Sequence, residues 1–149
     1  MPVPFPALGA TILVVDDERI ARRLLYRALN EEGYRVFEAA SADEALGVLE
    51  LAHWYTHLVM LDVVMPGVDG VELGQRILQR WPSLRLLYMS AHPAEILVQH
   101  GLVDPQVHFL AKPFTLDELM RKVGVASDRR LTPKPVRPEG VGGHGTPWA

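Results

Sequence analysis

Short apolar runs alternate with longer amphipathic segments along most of the chain. Five of the runs have the length and composition of buried β-strands: residues 11–15, 34–39, 57–61, 84–89 and 107–111. Apolar positions at helical spacing lie between them and predict helices, among them residues 71–81, which end before Pro82, and residues 94–100. This repeated strand–helix order predicts a parallel sheet with helices packed on both faces.

The first helix is predicted from a spacing of four residues. Ile20, Leu24 and Ala28 recur at that interval, with arginine and glutamate between them. Gly33 stands where a helix often ends in a left-handed residue. We therefore expect a helix between the first two strands that stops just before Gly33.

Two further helices are predicted from their starts. Ser41 with Glu44 and Thr115 with Glu118 have the spacing of a capping box, in which two side chains satisfy the exposed amide groups of a helix start. The apolar residues after the second box are spaced for one helical face: Leu116, Leu119, Met120 and Val123.

The length of 149 residues suits a single domain. We expect that domain to comprise residues 11–126, preceded by an N-terminal extension of residues 1–10. Residues 127–149 contain four prolines and four glycines without apolar periodicity. They are predicted to form a disordered tail or a linker.

Composition narrows the classes of function. The net charge of -3 and the lack of a long lysine or arginine run argue against direct nucleic-acid or membrane-surface binding. The chain contains no cysteine, which excludes disulfides and thiolate zinc sites and fits a cytoplasmic location. Neither a secretory signal nor a membrane span is predicted.

The candidate chemistry lies at the carboxyl ends of the predicted strands. Asp16, Asp17 and Glu18 follow the first strand, and Asp62 follows the third. The fourth and fifth strands are followed by a hydroxyl and an ammonium group, from Ser90 and Lys112. Ligands of open α/β sheets bind at this edge, so these groups are expected to converge.

Clustered carboxylates repel one another unless a cation lies among them, and Mg²⁺ favours carboxylates together with phosphate oxygens. A carboxylate beside such a cation can attack phosphorus when the incoming oxygens are neutralised, here by Mg²⁺, Lys112 and the Ser90 hydroxyl. The six histidines show no metal-ligand spacing.

Each residue also has a structural interpretation. Asp16 and Asp17 are suited to capping a helix, Asp62 to a turn and Ser90 to a hydrogen bond with its own backbone. Lys112 alone would be read as a solvated lysine. Their joint occurrence at one sheet edge favours the chemical interpretation.

Together these residues resemble the receiver domains of bacterial response regulators, from residue 11 to residue 126. The resemblance consists of the acidic pair in ILVVDDE, the segment DVVMPGVDG around Asp62, Ser90 in YMSAHP, and Lys112 with Pro113 in FLAKPF. It implies a flavodoxin-like doubly wound (βα)5 fold with strand order 2-1-3-4-5.

The resemblance also implies roles for individual residues. Asp62 would be the phosphoacceptor and a ligand of Mg²⁺. Asp17 and the backbone carbonyl of Val64 would bind the ion directly, and Asp16 would assist, usually through a water. Ser90 and Lys112 would contact the phosphoryl group, with Phe109 as the switch aromatic and a cis bond before Pro113. Two side chains that flank the site, Val64 and His92, are expected to modulate the lifetime of the acyl phosphate.

The implied function is phosphorelay signalling rather than metabolic catalysis. A sensor histidine kinase or a histidine phosphotransfer protein would donate the phosphoryl group, and a downstream protein would bind the face formed by the fourth helix, fifth strand and fifth helix. A homodimer is also compatible with that face.

Two other classes of function stay open at this point. One is an aspartyl-nucleophile phosphatase, although such enzymes resemble an Asp-x-Asp pattern where this chain has adjacent acids. The other is an interaction module that works without phosphorylation. Flavin or nucleotide binding is disfavoured because no glycine-rich loop follows the first strand.

Overall fold

Strands and helices alternate in the order that the hydrophobic pattern predicts. The structure is a computed structural model and describes residues 10–100 and 107–127. The strands are β1 (Thr11–Val15), β2 (Arg35–Ala39), β3 (Leu58–Asp62), β4 (Arg85–Ser90) and β5 (Val107–Ala111). The helices are α1 (Arg19–Glu31), α2 (Ala42–Ala52), α3 (Gly70–Arg80), α4 (Pro93–His100) and α5 (Leu116–Ala126).

The five strands form one parallel sheet in the order β2-β1-β3-β4-β5, as the resemblance implies. Every residue of the three inner strands β1, β3 and β4 is buried, whereas the edge strands β2 and β5 are partly exposed. Unbroken apolar runs therefore mark the strands that are covered on both faces.

Alternate residues of each strand point to opposite faces, and each face has its own core. On β1, Leu13 and Val15 pack with side chains of α2 and α3, while Ile12 and Val14 pack with side chains of α1 and α5. The sheet is thus doubly wound.

In α1 the helix is confirmed, but two of the three residues that indicated it do not face the core, while Ala28 is partly buried against it. Leu25 and Leu29 are the buried side chains, while Ile20 and Leu24 are 72% and 62% exposed. The helix ends where expected, and Gly33 has φ of 98°, a left-handed conformation that favours glycine. Ile20 and Leu24 therefore form an exposed apolar surface on α1.

Of the two predicted capping boxes, the one at α5 forms completely and the one at α2 forms in part. Thr115 and Glu118 form the reciprocal pair of hydrogen bonds. In α2 the Ser41 hydroxyl accepts from the Glu44 N–H, but the Glu44 carboxylate accepts from Ala40, one residue earlier than the box requires. Along α5, Leu119 and Val123 are buried as expected, whereas Leu116 is mostly exposed.

The segments expected to flank the domain, residues 1–10 and 127–149, lie outside the described residues except for Ala10 and Ser127. Both of these residues are buried. In the part of the chain that the structure describes, no helix combines the length and the apolar character needed to cross a bilayer.

Candidate functional site

The register of the strands brings the candidate side chains to one edge of the sheet. Asp62 pairs with Met89, the residue before Ser90, and Ser90 pairs with Ala111, the residue before Lys112. The Lys112 N–H donates to the Ser90 carbonyl at 2.8 Å and continues this alignment beyond the strands. Three of the predicted residues therefore lie side by side because parallel strands end together.

Asp16 joins the same edge from β1. It directly follows Val15, which pairs with Leu61, the residue before Asp62. Asp16, Asp17 and Asp62 each offer one carboxylate oxygen, and these oxygens all lie within 4.8 Å of one another. The cluster of acids predicted from the sequence is present as a group in three dimensions.

The Asp62 carboxylate has two partners in the structure. Its Oδ1 lies 3.2 Å from Lys112 Nζ and accepts a hydrogen bond from the Val64 N–H, also at 3.2 Å. The Asp62 side chain is nearly buried, while that of Lys112 is 36% exposed. The lysine thus reaches a buried carboxylate from the solvent side.

Ser90 is buried beside Asp62, and its Oγ accepts a hydrogen bond from the His92 N–H at 3.0 Å. The hydroxyl proton of Ser90 is left to donate to another acceptor. The His92 and Val64 side chains are exposed at the edge of the site. Their role as modulators stays a prediction.

The bond between Lys112 and Pro113 is cis, as the resemblance implies. Phe109 lies on β5, is partly buried, and packs against Tyr88 of β4 with ring centroids 5.6 Å apart. Tyr88 is fully buried and its hydroxyl donates to the Val71 carbonyl of α3 at 3.3 Å. The aromatic expected to switch therefore contacts a core side chain anchored to α3.

The loop after Asp62 depends on Gly70, the first residue of α3. A Cβ at Gly70 would overlap the carbonyl of Asp62 and the Cα of Val63. The Gly70 N–H donates to the Val63 carbonyl at 2.9 Å. A residue without a side chain is therefore needed where α3 begins against the end of β3.

Electrostatics at Asp16 favour a proton or a cation. Burial raises the pKa of Asp16 above its ordinary value of 3.8, and the charges of Asp62 and Asp17 act in the same direction. The hydrogen bond from the Glu18 N–H to Asp16 Oδ1, at 2.9 Å, and the charge of Lys112 lower the pKa in part.

The residues fit a hard divalent cation. Three carboxylates from two strand ends converge, and one of them is also close to an ammonium group that can meet a further anion. Oxygen-only ligands with room for water and phosphate oxygens are the surroundings that Mg²⁺ prefers. Asp16, Asp17 and Asp62 would supply the side-chain ligands.

Sequence reasoning missed two residues at the site, Arg22 of α1 and Glu38 of β2. Arg22 Nη1 donates to the backbone carbonyl of Asp16 at 2.8 Å, and its Nε lies 3.2 Å from Glu38 Oε1. The spacing of Arg22 within a helix gives no sign of this contact. Only the placement of α1 against β2 reveals it.

The fold and the site define a doubly wound α/β protein with a cluster of carboxylates suited to binding a cation at the carboxyl edge of its sheet. The model of the response regulator receiver domain family matches residues 12–124. The chain belongs to this family, whose members are signalling modules of two-component systems.

Relatives and solved structures agree with this membership. The chain is 34% identical over 112 residues to sporulation initiation phosphotransferase F of Bacillus subtilis, covering 75% of this chain and 89% of that protein. It is 36% identical over 115 residues to the sensor kinase CckA of Brucella abortus, covering 77% of this chain. The structure of the response regulator TrrA of Thermotoga maritima in complex with Mg²⁺-BeF matches with a TM-score of 0.66 and 32% identity, covering 82% of this chain and 98% of that one.

Several curated relatives are much longer than this chain. It spans 12% of the sensor kinase CckA and 49% of the transcriptional regulatory protein TcrA of Mycobacterium tuberculosis. The similarity to these proteins therefore concerns their receiver-like portion.

Proposed function

We propose that this protein is a phosphorylation switch in which Asp62 accepts a phosphoryl group with Mg²⁺ bound at Asp16, Asp17 and Asp62. The observation that carries the proposal is that Asp62 lies beside both the acidic cluster that would bind the cation and the ammonium group of Lys112. Its carboxylate belongs to the acidic cluster and also lies 3.2 Å from Lys112 Nζ. The Val64 carbonyl is proposed as a further ligand of the cation.

The proposed donor is a phosphohistidine of a sensor kinase or of a histidine phosphotransfer protein. A carboxylate oxygen of Asp62 attacks phosphorus, the bond between phosphorus and the imidazole nitrogen breaks, and the imidazole takes up a proton. Lys112 Nζ and the Ser90 hydroxyl donate to the phosphoryl oxygens as charge builds up on them. Mg²⁺ would neutralise part of that charge when bound.

Hydrolysis resets the switch. Water attacks the phosphorus of the acyl phosphate, the bond to the Asp62 oxygen breaks, and inorganic phosphate leaves. Val64 and His92 flank this point, and their exposed side chains are proposed to set how readily water approaches. The protein thus acts on itself once per cycle rather than turning over a free substrate.

The test is incubation of the full chain with Mg²⁺ and a small acyl phosphate. The expected product is a single hydroxylamine-sensitive adduct that peptide mass spectrometry assigns to Asp62. Asp62→Asn abolishes the adduct. Asp17→Asn raises the Mg²⁺ concentration that is needed for labelling. Asp117→Asn, an exposed acid in the first turn of α5, is the matched control and keeps wild-type labelling.

Two results would count against the proposal. An adduct that persists in Asp62→Asn would place the phosphoacceptor elsewhere. Continuous hydrolysis of free phosphomonoesters would instead favour an aspartyl-nucleophile phosphatase.

The donor domain is proposed to dock on α1. Leu24 lines a cleft of about 190 Å³ together with Asp16, Lys112 and Phe114, so the exposed apolar surface of α1 is continuous with the site. Three arginines lie along the same helix surface: Arg19, Arg23 and Arg27. A partner that brings a phosphohistidine to Asp62 would therefore offer apolar side chains with acidic neighbours.

Leu24→Ser tests this docking, with Leu51→Ser on α2 as the matched control, since both leucines are exposed on helices. Leu24→Ser should slow phosphotransfer from a donor kinase about tenfold or more, while labelling by a small acyl phosphate stays unchanged. Leu51→Ser should change neither rate. Equal effects of both variants on the kinase reaction would exclude α1 as the docking face.

The output surface is proposed to be the face formed by α4, β5 and α5. Phosphorylation would draw Ser90 toward the new oxygens and shift Phe109 inward, which biases a pre-existing equilibrium. Val98, Leu116 and Val125 are exposed apolar side chains of α4 and α5 that a downstream protein would cover. Light scattering of the chain alone, with Mg²⁺ and beryllium fluoride, measures its molar mass. A doubled mass would identify the occupant of this face as a second copy of the chain, and an unchanged mass would favour a different downstream protein.

The proposed setting is the bacterial cytoplasm, where the chain would work without binding nucleic acid or membrane directly. The net charge of -3 and the absence of cysteine support this setting. Fractionation of cells that express the chain tests it.

A further inference from the structure

The backbone of Asp16 is held on both of its polar groups. Its N–H donates to the carbonyl of Ala39 on β2 at 3.1 Å, and its carbonyl accepts from Arg22 Nη1 at 2.8 Å. Arg22 Nε donates to Glu38 Oε1 at 3.2 Å, and Glu38 precedes Ala39 on β2. Both restraints on Asp16 therefore come from neighbouring residues of one strand, one of them through Arg22.

Arg22 and Glu38 are well shielded, with side chains 14% and 20% exposed. The planar guanidinium places one nitrogen on a carbonyl and another on a carboxylate, a fork that lysine cannot reproduce. Arg23, which is more exposed, contacts the second oxygen of Glu38 and fixes that carboxylate from the other side. We call Arg22 and Glu38 the Arg22–Glu38 clamp.

The Arg22–Glu38 clamp holds a loop whose carboxylates repel one another. Three carboxylates lie within 4.8 Å of one another, and their repulsion favours a loop that opens outward. The hydrogen bond from the Glu18 N–H occupies Asp16 Oδ1 and sets the direction of its second oxygen. With the backbone also fixed, Asp16 and Asp17 keep one geometry at the sheet edge.

We propose that Arg22, held by Glu38, is a positioning residue that keeps the loop of Asp16 and Asp17 in the geometry required for a divalent cation. The identity of the cation as Mg²⁺ rests on the proposed function. Arg22 does not touch the reacting atoms. It acts through the Asp16 carbonyl, and its effect is on cation affinity.

The sign of one measurement separates positioning from simple electrostatics. Arg22 carries a positive charge near a cation site, so removing the charge alone would tighten Mg²⁺ binding. Removing a positioning residue would weaken it. Arg22→Met removes the donor groups and the charge together while it retains much of the apolar stem.

The experiment is calorimetric titration of the full chain with MgCl₂ at fixed ionic strength. Arg22→Met is expected to weaken Mg²⁺ binding about three- to tenfold, which corresponds to the net contribution of one typical hydrogen bond. Arg27→Met is the matched control on the same helix, with the same loss of charge at an exposed position. It should leave the affinity unchanged or slightly higher.

Arg22→Lys keeps the charge without the fork and is the second variant, in case Arg22→Met does not fold. It should also weaken Mg²⁺ binding, and NMR should show shifted amide signals of Asp16 and Asp17 before any cation is added. Unchanged or tighter binding in the folded variants would overturn the inference. Labelling of Asp62 at saturating Mg²⁺ should survive in Arg22→Lys. If the wild-type chain itself is not labelled, the proposed function fails, whereas failure of the inference about Arg22 shows only in the Mg²⁺ affinities of the variants.

Discussion

Asp16 illustrates the conflict between stability and function at the scale of single residues. It is buried, its pKa is raised by that burial and by two neighbouring carboxylates, and its backbone is held in place by Ala39 and Arg22. A buried charge among like charges destabilises the fold unless a cation compensates it. The site is therefore expected to be a source of instability in the absence of divalent cations.

Asp16→Asn should raise the midpoint of thermal unfolding in the absence of divalent cations, because a neutral amide removes the repulsion. The amide oxygen can still accept from the Glu18 N–H. The stabilisation by added Mg²⁺ should shrink in the same variant, since one ligand is lost. Scanning calorimetry with chelator and then with Mg²⁺ measures both effects, and a lower midpoint with chelator would contradict this account.

His108 should make the free energy of unfolding depend on pH, because its pKa is lowered in the folded chain. Burial lowers its pKa, and the positive charges of Lys122 and Arg85 lower it further. The unfolded chain binds a proton near the ordinary pKa of about 6.5, while the folded chain resists it. The free energy of unfolding should therefore fall as pH falls below about 6.5, by at most about 1.4 kcal/mol per pH unit from this group.

His108→Gln should flatten that slope when urea unfolding is measured at several pH values between about 5 and 7. The wild-type chain, measured in parallel at each pH, is the reference for the slope. If His108→Gln leaves the slope unchanged, another group governs the acid side.

At the scale of elements, α3 approaches β4 unusually closely at Gly74. A Cβ there would overlap the hydroxyl and ring of Tyr88 and a methyl group of Leu86. Tyr88 uses the space to reach the Val71 carbonyl, and its ring supports Phe109. The fit between α3 and the sheet therefore links the core to the proposed switch aromatic.

Gly74→Ala should destabilise the protein by about 1–3 kcal/mol through overpacking, although alanine favours helices more than glycine. Gly47→Ala on α2 is the matched control because nothing lies within 4 Å of its added Cβ, and it should stabilise by about 0.5–1 kcal/mol. Tyr88→Phe combined with Gly74→Ala should recover part of the loss. Additive effects in chemical denaturation would mean that the two residues do not interact.

The order of elements was predictable because the two periodicities differ, whereas the facing of α1 was not. Ile20, Leu24 and Ala28 indicate a helix, but Leu25 and Leu29 indicate it equally well and form the buried stripe. The same holds for Leu116 on α5, because its helical spacing predicted a place on the buried face and the structure leaves it exposed. Spacing identifies a helix, and packing decides which side is inside.

The strand-end argument predicted the candidate site for a physical reason. Parallel strands in register end together, so Asp16, Asp62, Ser90 and Lys112 could be placed at one edge from their positions alone. Arg22 and Glu38 could not, because their contact requires the angle of α1 against β2. The switching of Phe109 follows from the resemblance alone and stays a prediction.

At the scale of the whole molecule, the sheet separates two hydrophobic cores. One is formed with α2 and α3 and the other with α1 and α5, and the site lies at the edge where both faces end. The buried side chains of the two cores run from Ala10 to Ala126. Residues 10–127 are therefore proposed as the folding unit.

A fragment of residues 10–127 should unfold in one cooperative transition with a midpoint within about 2–4 °C of the full chain, a shift that corresponds to at most about 1 kcal/mol. Because the acidic cluster and Lys112 lie inside the fragment, Mg²⁺ with beryllium fluoride should raise both midpoints by the same amount. Calorimetry of the two proteins in parallel measures this. A fragment that folds but loses the response to the anion would mean that residues outside 10–127 complete the site, while a much lower midpoint with an intact response would mean that they only support the fold.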